Sequence, residues 1–214
     1  MDLSEQPTVH LVRHLATDGT PTERLDRHEL QAWLDREVAC GIRVEAQPSD
    51  ELVALVAGSR HLLVSPLTRA QATASAVLDR LPAGTHPEVT TDEDLHEAPL
   101  PVLPMPRLRL PIDAWDILCR AAWLLGYKGN VEPRRQAVDR ARRVAHRLGN
   151  LTATGTTSVI AHGFTNILVA RELRRLGWNG PRLPNHDNGA TSTFRTPPTT
   201  TAKPAPANAS APPR

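Results

Sequence analysis

Short apolar runs alternate along the chain with segments whose apolar residues recur every three to four positions. Thr8-Val9-His10-Leu11-Val12, His61-Leu62-Leu63-Val64 and Ser158-Val159-Ile160-Ala161 read as buried strands, and residues 190–195 read as a closing strand. Between them, Leu67, Ala70, Ala74, Val77, Leu78 and Leu81 fall on one helical face. Ser65 is placed to cap that helix, with Pro66 at its first position. Ala137, Ala141, Val144, Ala145 and Leu148 make a second helical face, ended by Gly149, and Ile167, Leu168, Val169, Leu173 and Leu176 a third, ended by Gly177. Strands alternating with helices in this way predict a three-layer α/β/α sandwich on a mostly parallel central sheet, with the ligand site at the carboxyl ends of the strands.

Composition narrows the class. The 214 residues, 40% hydrophobic, suffice for one core. Six of the 20 prolines lie in residues 196–214, a Pro/Thr/Ala-rich stretch without a large apolar side chain, expected to be a disordered tail. The folded domain is thus expected over 1–195. Lys203 and Arg214 are the tail's only charges, so the body balances 23 basic against 23 acidic side chains. A neutral body argues against a nucleic-acid partner. Arginine outnumbers lysine 23 to 2, which reads as genome composition. Two cysteines, Cys40 and Cys119, allow no disulfide framework, and no clustered His/Asp/Glu set predicts a metal. Without an apolar leader or an 18-residue apolar stretch, neither secretion nor membrane spanning is expected, and the chain reads as cytoplasmic.

The chemistry sits where the strands stop. Arg13-His14 follows the first, Ser65-Pro66 with Arg69 the second, and His162 the third. In an α/β sheet those ends face one crevice, so two histidines and two arginines converge from distant parts of the chain. Arg69 lies in the first turn of its helix and His162 just before one, where free N–H groups and the helix dipole favour an anion. A phosphoryl group is the natural ligand.

These blocks resemble the histidine phosphatase superfamily, with its phosphoglycerate mutase-like fold. The Leu-Val-Arg-His-Gly-x-Thr opening is matched by Leu11-Val12-Arg13-His14-Leu15-Ala16-Thr17, the second block by residues 65–74 from Ser65-Pro66 through Arg69 to Ala74, and the third by Ala161-His162-Gly163. The resemblance implies that His14 takes the phosphoryl group, that Arg13, Arg69 and His162 hold its oxygens, and that Thr17 and Thr20 adjoin the phosphate. It also places an acid after the second helix. Glu97 is the expected proton donor and later the base that activates water, with Asp94 and Glu93 as competing choices. Two departures stand out: Leu15 replaces the glycine after the nucleophile, and Thr20 an asparagine. The implied activity is a metal-independent phosphomonoesterase with no cofactor, acting on a small phosphorylated substrate through phosphohistidine. A mutase and a catalytically silent phosphate-binding protein are the alternatives.

Residues 100–126 read as an insertion in which Asp113 caps a helix, apolar nearly all round, running to Leu125. One reading makes it a lid whose Trp115 and Trp123 meet the organic part of the substrate, with Arg107 or Arg109 at its polar end. The other makes it core or a homodimer contact. The arginine run over 134–147 reads as a solvated helix face with Glu132 and Asp139 as counter-charges.

Overall fold

A computed structural model describes residues 6–19 and 21–197. The five strands are β1 (Thr8–Arg13), β2 (His61–Val64), β3 (Glu88–Thr91), β4 (Thr157–Ala161) and β5 (Thr191–Arg195), in the spatial order β3-β2-β4-β1-β5. All neighbours are parallel except β5, which runs antiparallel to β1. The α/β sandwich with a mostly parallel sheet is therefore the fold. β2 and β4 are buried on both faces and β1 nearly so, as near-continuous apolar runs require. Edge strand β3 is exposed throughout, and its Glu-Val-Thr-Thr sequence gave no apolar signal.

The helices are α1 (Arg27–Ala39), α2 (Asp50–Ala57), α3 (Thr68–Leu78), α4 (Ile112–Leu124), α5 (Arg134–Leu151) and α6 (Gly163–Arg175). Alternation along the strands divides the core. Val12, Leu62, Val64 and Ile160 pack against α2 and α3, whereas Val9, Leu11, Leu63 and Val159 pack against α5 and α6. A third cluster, Leu25, Leu30, Leu100, Trp115 and Cys119, joins α1 to α4 beside the sheet.

Four local expectations need correction. α3 starts at Thr68 with Leu67 as an uncapped N-cap, so Ser65 and Pro66 precede the helix. α4 starts after Pro111, leaving Asp113 in its first turn instead of at the cap, and its outer face exposes Ile117 and Leu124. α5 continues through Gly149 to Leu151, because a glycine ends a helix only where the chain turns left-handed, as it does at Gly177 (φ 90°) after α6. The arginines of α5 are not all solvated: Arg140 is buried on Glu132 (2.8 Å from both Nε and Nη2), while Arg143 and Arg147 grip Asp94 and Asp92. Most of the proline-rich tail, residues 198–214, lies outside the described residues, as does Thr20.

Candidate active site

The carboxyl ends of β1, β2 and β4 bring the expected residues together. The His14 N–H bonds the Ala161 carbonyl (3.0 Å), extending the β1–β4 ladder by one rung and setting the two histidine rings 5.2 Å apart. Arg69, from the first turn of α3, donates from Nε to His14 Nε2 (3.2 Å) and from Nη1 to the Glu37 carbonyl (2.5 Å). His14 Nδ1 lies 2.7 Å from the Leu15 carbonyl. A carbonyl only accepts, so the proton sits on Nδ1 and the lone pair on Nε2. Burial, seconded by the Arg69 and Arg13 cations, outweighs the Leu15 bond and the Glu97 charge and takes His14 down to about 4. The imidazole is neutral at pH 7.

His162 is the N-cap of α6 and fully buried. Its Nε2 meets the Ser65 hydroxyl at 2.7 Å, and its Nδ1 has no partner among the described residues. Burial, then the cations Arg69 and Arg13 and the second histidine, bring it down to about 3 against the pull of Glu97. Arg13 Nε is likewise buried without a partner, while its Nη1 bonds the His186 carbonyl. Two nitrogens so placed, at the start of α6, are suited to oxygens of an anion.

Glu97 reaches the same helix start. Its carboxylate accepts from the N–H groups of Ala98 (2.8 Å), Thr165 (3.0 Å) and Phe164 (3.4 Å) and from the Thr165 hydroxyl (3.1 Å). Burial alone would push it up; His162, Arg120, the Ala98 N–H and Arg69 overcome that and hold it at about 2. With His162 neutral at pH 7, the arginines and the N–H groups do this work. The competing acid Asp94 is bound by Arg143 (2.5 Å) and Arg147 (2.7 Å) on α5, and the Arg143 bond leads in bringing it to about 2 despite partial burial. It faces α5 and is no candidate for the pocket. Glu93 is exposed at the start of the short helical turn Glu93–Leu95.

The lid residues are placed differently from the first reading. Trp115 and Trp123 are 0% exposed, in two separate core clusters, and their indole N–H groups bond the carbonyls of Leu25 (2.8 Å) and Glu132 (2.9 Å). An apolar helix beside the sheet buries its largest side chains inward, so neither indole lines the pocket. Arg109 clamps the capping box of α1, bonding Asp26 (3.3 Å) and Glu29 (2.9 Å), and Arg107 is exposed without an ion pair among the described residues. The α4 cation near Glu97 is instead Arg120, stacked on Phe164 at 4.1 Å. Half-buried Thr17 accepts from Arg43 Nε through its carbonyl (2.9 Å) and shares no hydrogen bond with Arg13, His14 or Arg69.

Leu15 fits where glycine was expected. Its N–H bonds Thr73 (2.9 Å) and its side chain is buried against Gly189, whose own side chain, were it present, would lie 3.0 Å away. That neighbour belongs to a segment sequence reasoning passed over. The N–H of Gly189 bonds the Arg13 and His14 carbonyls, Asn188 bonds the His14 carbonyl (3.1 Å), and the His186 ring stands over Gly163. A Cβ on Gly163 would come within 2.7 Å of that ring. Ser65 was also missed, having been read as a helix cap. Its position at a strand end, like those of His14 and His162, was the available signal.

Fold and site together define an α/β protein that gathers two histidines and two arginines at the carboxyl ends of its parallel strands. The chain belongs to the histidine phosphatase superfamily (branch 1), whose family model matches residues 9–203. No curated protein matches it significantly. Among solved structures it is similar to mycobacterial hydrolase 2 (19% identity, 87% of this chain and 80% of that one, TM-score 0.54). It is also similar to a mycobacterial glucosyl-3-phosphoglycerate phosphatase in complex with VO3 (19%, 87% and 91%, 0.51). An ecdysone phosphate phosphatase from Bombix mori in complex with tungstate is a third (14%, 92% and 96%, 0.51). Among the described residues no three His, Cys, Asp or Glu side chains group as a metal site, and no helix is long and apolar enough to cross a membrane.

Proposed function

We propose that the protein is a phosphomonoesterase working through phosphohistidine on His14. The observation that carries this reading is the neutral His14 ring, with Nδ1–H fixed on the Leu15 carbonyl and the Nε2 lone pair beside Arg69. A neutral imidazole so oriented is a competent nucleophile, and cations fixed around it stabilise charge on the equatorial oxygens of an in-line transfer. Nε2 attacks phosphorus, the N–P bond forms as the ester P–O bond breaks, and the departing alkoxide takes up a proton. Arg13 Nε and His162 Nδ1, both without a partner among the described residues, supply donors to the phosphoryl oxygens. The Ser65 hydroxyl, donating to His162 Nε2, keeps the proton on Nδ1. Glu97, ionised in the free protein, suits the second half-reaction, accepting a proton from the water that attacks phosphohistidine. A bound phosphoryl dianion raises its proton affinity, which lets it serve the leaving group in the first half.

Trp115 and Trp123 do not shield the pocket from water, so they give no support to the mutase alternative, and the buried Leu15 removes one reason for a silent protein. The substrate is a small phosphate monoester, needing no metal or cofactor. Incubation with p-nitrophenyl phosphate and EDTA tests the reading. Turnover and an acid-labile, alkali-stable phosphate adduct are expected with the natural chain, and neither with His14→Ala. Full activity in His14→Ala would end it.

A further inference from the structure

The other face of α6 carries a second concentration of positive charge. A groove of about 630 Å3 runs between α5, α6 and the turn after α4. Arg134, Arg135 and Arg142 line it from α5, and Arg171 and Arg175 from α6. Two carboxylates offset part of this charge. Asp139 lies 3.2 Å from Arg142, and Glu172 lies 3.5 Å from Arg142 and 2.6 Å from Arg175. Arg134, Arg135 and Arg171 are exposed and have no ion pair with another described residue.

Three further features bear on what such a groove takes. α5 begins at Pro133 with no side-chain cap, so the positive end of its dipole opens beside Arg134 and Arg135. Part of the wall is apolar: Leu124, Leu125 and Val138, with Leu125 90% exposed. The groove is also separate from the catalytic cluster. Arg171 is nine residues beyond the N-cap His162, roughly 13 Å along the helix at its rise per residue.

We propose that this groove is a binding site for a ligand carrying two or more linked phosphates. Uncompensated guanidinium groups reaching one concavity from two helices present paired N–H forks, the geometry that holds phosphate oxygens bidentately. Five arginines against the two carboxylates leave a charge of about +3 on the groove, more than one phosphate dianion balances, whereas a phosphate chain matches it. The apolar wall accommodates an attached ring system.

The test is titration calorimetry on the full chain with orthovanadate saturating the catalytic pocket, using inorganic tripolyphosphate and ATP as probes. One site is expected, weakening as sodium chloride is raised. Equal affinities would mean that the phosphate chain alone is read, and tighter ATP that the apolar wall takes the base. Arg134→Glu combined with Arg171→Glu should weaken binding at least tenfold and leave p-nitrophenyl phosphate turnover unchanged. Should that double variant fail to fold, Arg135→Gln is expected to cost at least threefold. Absence of binding, binding abolished by vanadate, or affinity untouched by the folded variants would each overturn the site.

Discussion

Trp115→Ala separates a core helix from a substrate lid. The indole is fully buried among Leu25, Leu30, Leu100 and Cys119. An indole hides on the order of 200 Å2, about 5 kcal/mol at ~25 cal/mol per Å2, and core truncations of this size cost about 3 to 5 kcal/mol. The lost indole bond adds less than usual. The Leu25 carbonyl it leaves keeps the Leu110 N–H at 3.0 Å, so no buried acceptor is orphaned. Since each kcal/mol moves the melting temperature of a chain this size by roughly 2 to 4 °C, a drop of roughly 6 to 20 °C is expected. Trp115→Phe, which keeps most of the area, should recover more than half of it. At a temperature where both variants are folded, KM for one bulky and one small phosphate should keep its natural ratio. A changed substrate preference with an unchanged melting temperature would refute the core assignment.

Acid should destabilise the protein in two stages. His14 and His162 have folded pKa values of about 4 and 3 against an ordinary 6.5, so the unfolded chain binds their protons first. Stability is therefore whole above pH 6.5 and falls below it, by up to about 1.4 kcal/mol per pH unit for each, until the folded values are reached. Asp94 and Glu97, both held at about 2, add a further loss as pH drops from their ordinary values near 4 toward 2. Urea midpoints between pH 8 and 3 measure this, and a flat profile from 6.5 to 4.5 contradicts the neutral histidine pair. Asp94→Asn should lower stability by about 1 kcal/mol, since its arginine partners are partly exposed, yet hydrolyse alkyl and p-nitrophenyl phosphates in the natural ratio. A selective loss on alkyl phosphates would return Asp94 to the acid role.

What the sequence made legible was the part written in runs. β1, β2 and β4 are buried stretches ending on charged or polar groups, and parallel pairing alone brings those ends to one edge. Arg13, His14, Arg69 and His162 could thus be named together. α1 is only weakly periodic, α2 is just eight residues long and β3 is exposed, so none of them stands out as a run. Side-chain direction was the harder matter. Arg109 and Arg120 both belong to the 100–126 segment, but only the packing of α4 against Phe164 decides which one stands near Glu97. Likewise Ser65 could cap a helix or meet a histidine, and the choice depends on a strand nearly a hundred residues later.

The bonds from Asn188 and Gly189 to the carbonyls of Arg13 and His14 tie the end of β1 to a loop 174 residues later. In order of synthesis, β1 and His14 are made well before the loop that fixes their backbone. β1 must also wait for β4 and β5, its partners on either side. During translation His14 therefore emerges from the ribosome well before the segments that surround it. A fragment stopping short of residue 188 would carry Arg13, His14, Arg69 and His162 and still lack the bonds that fix the His14 backbone.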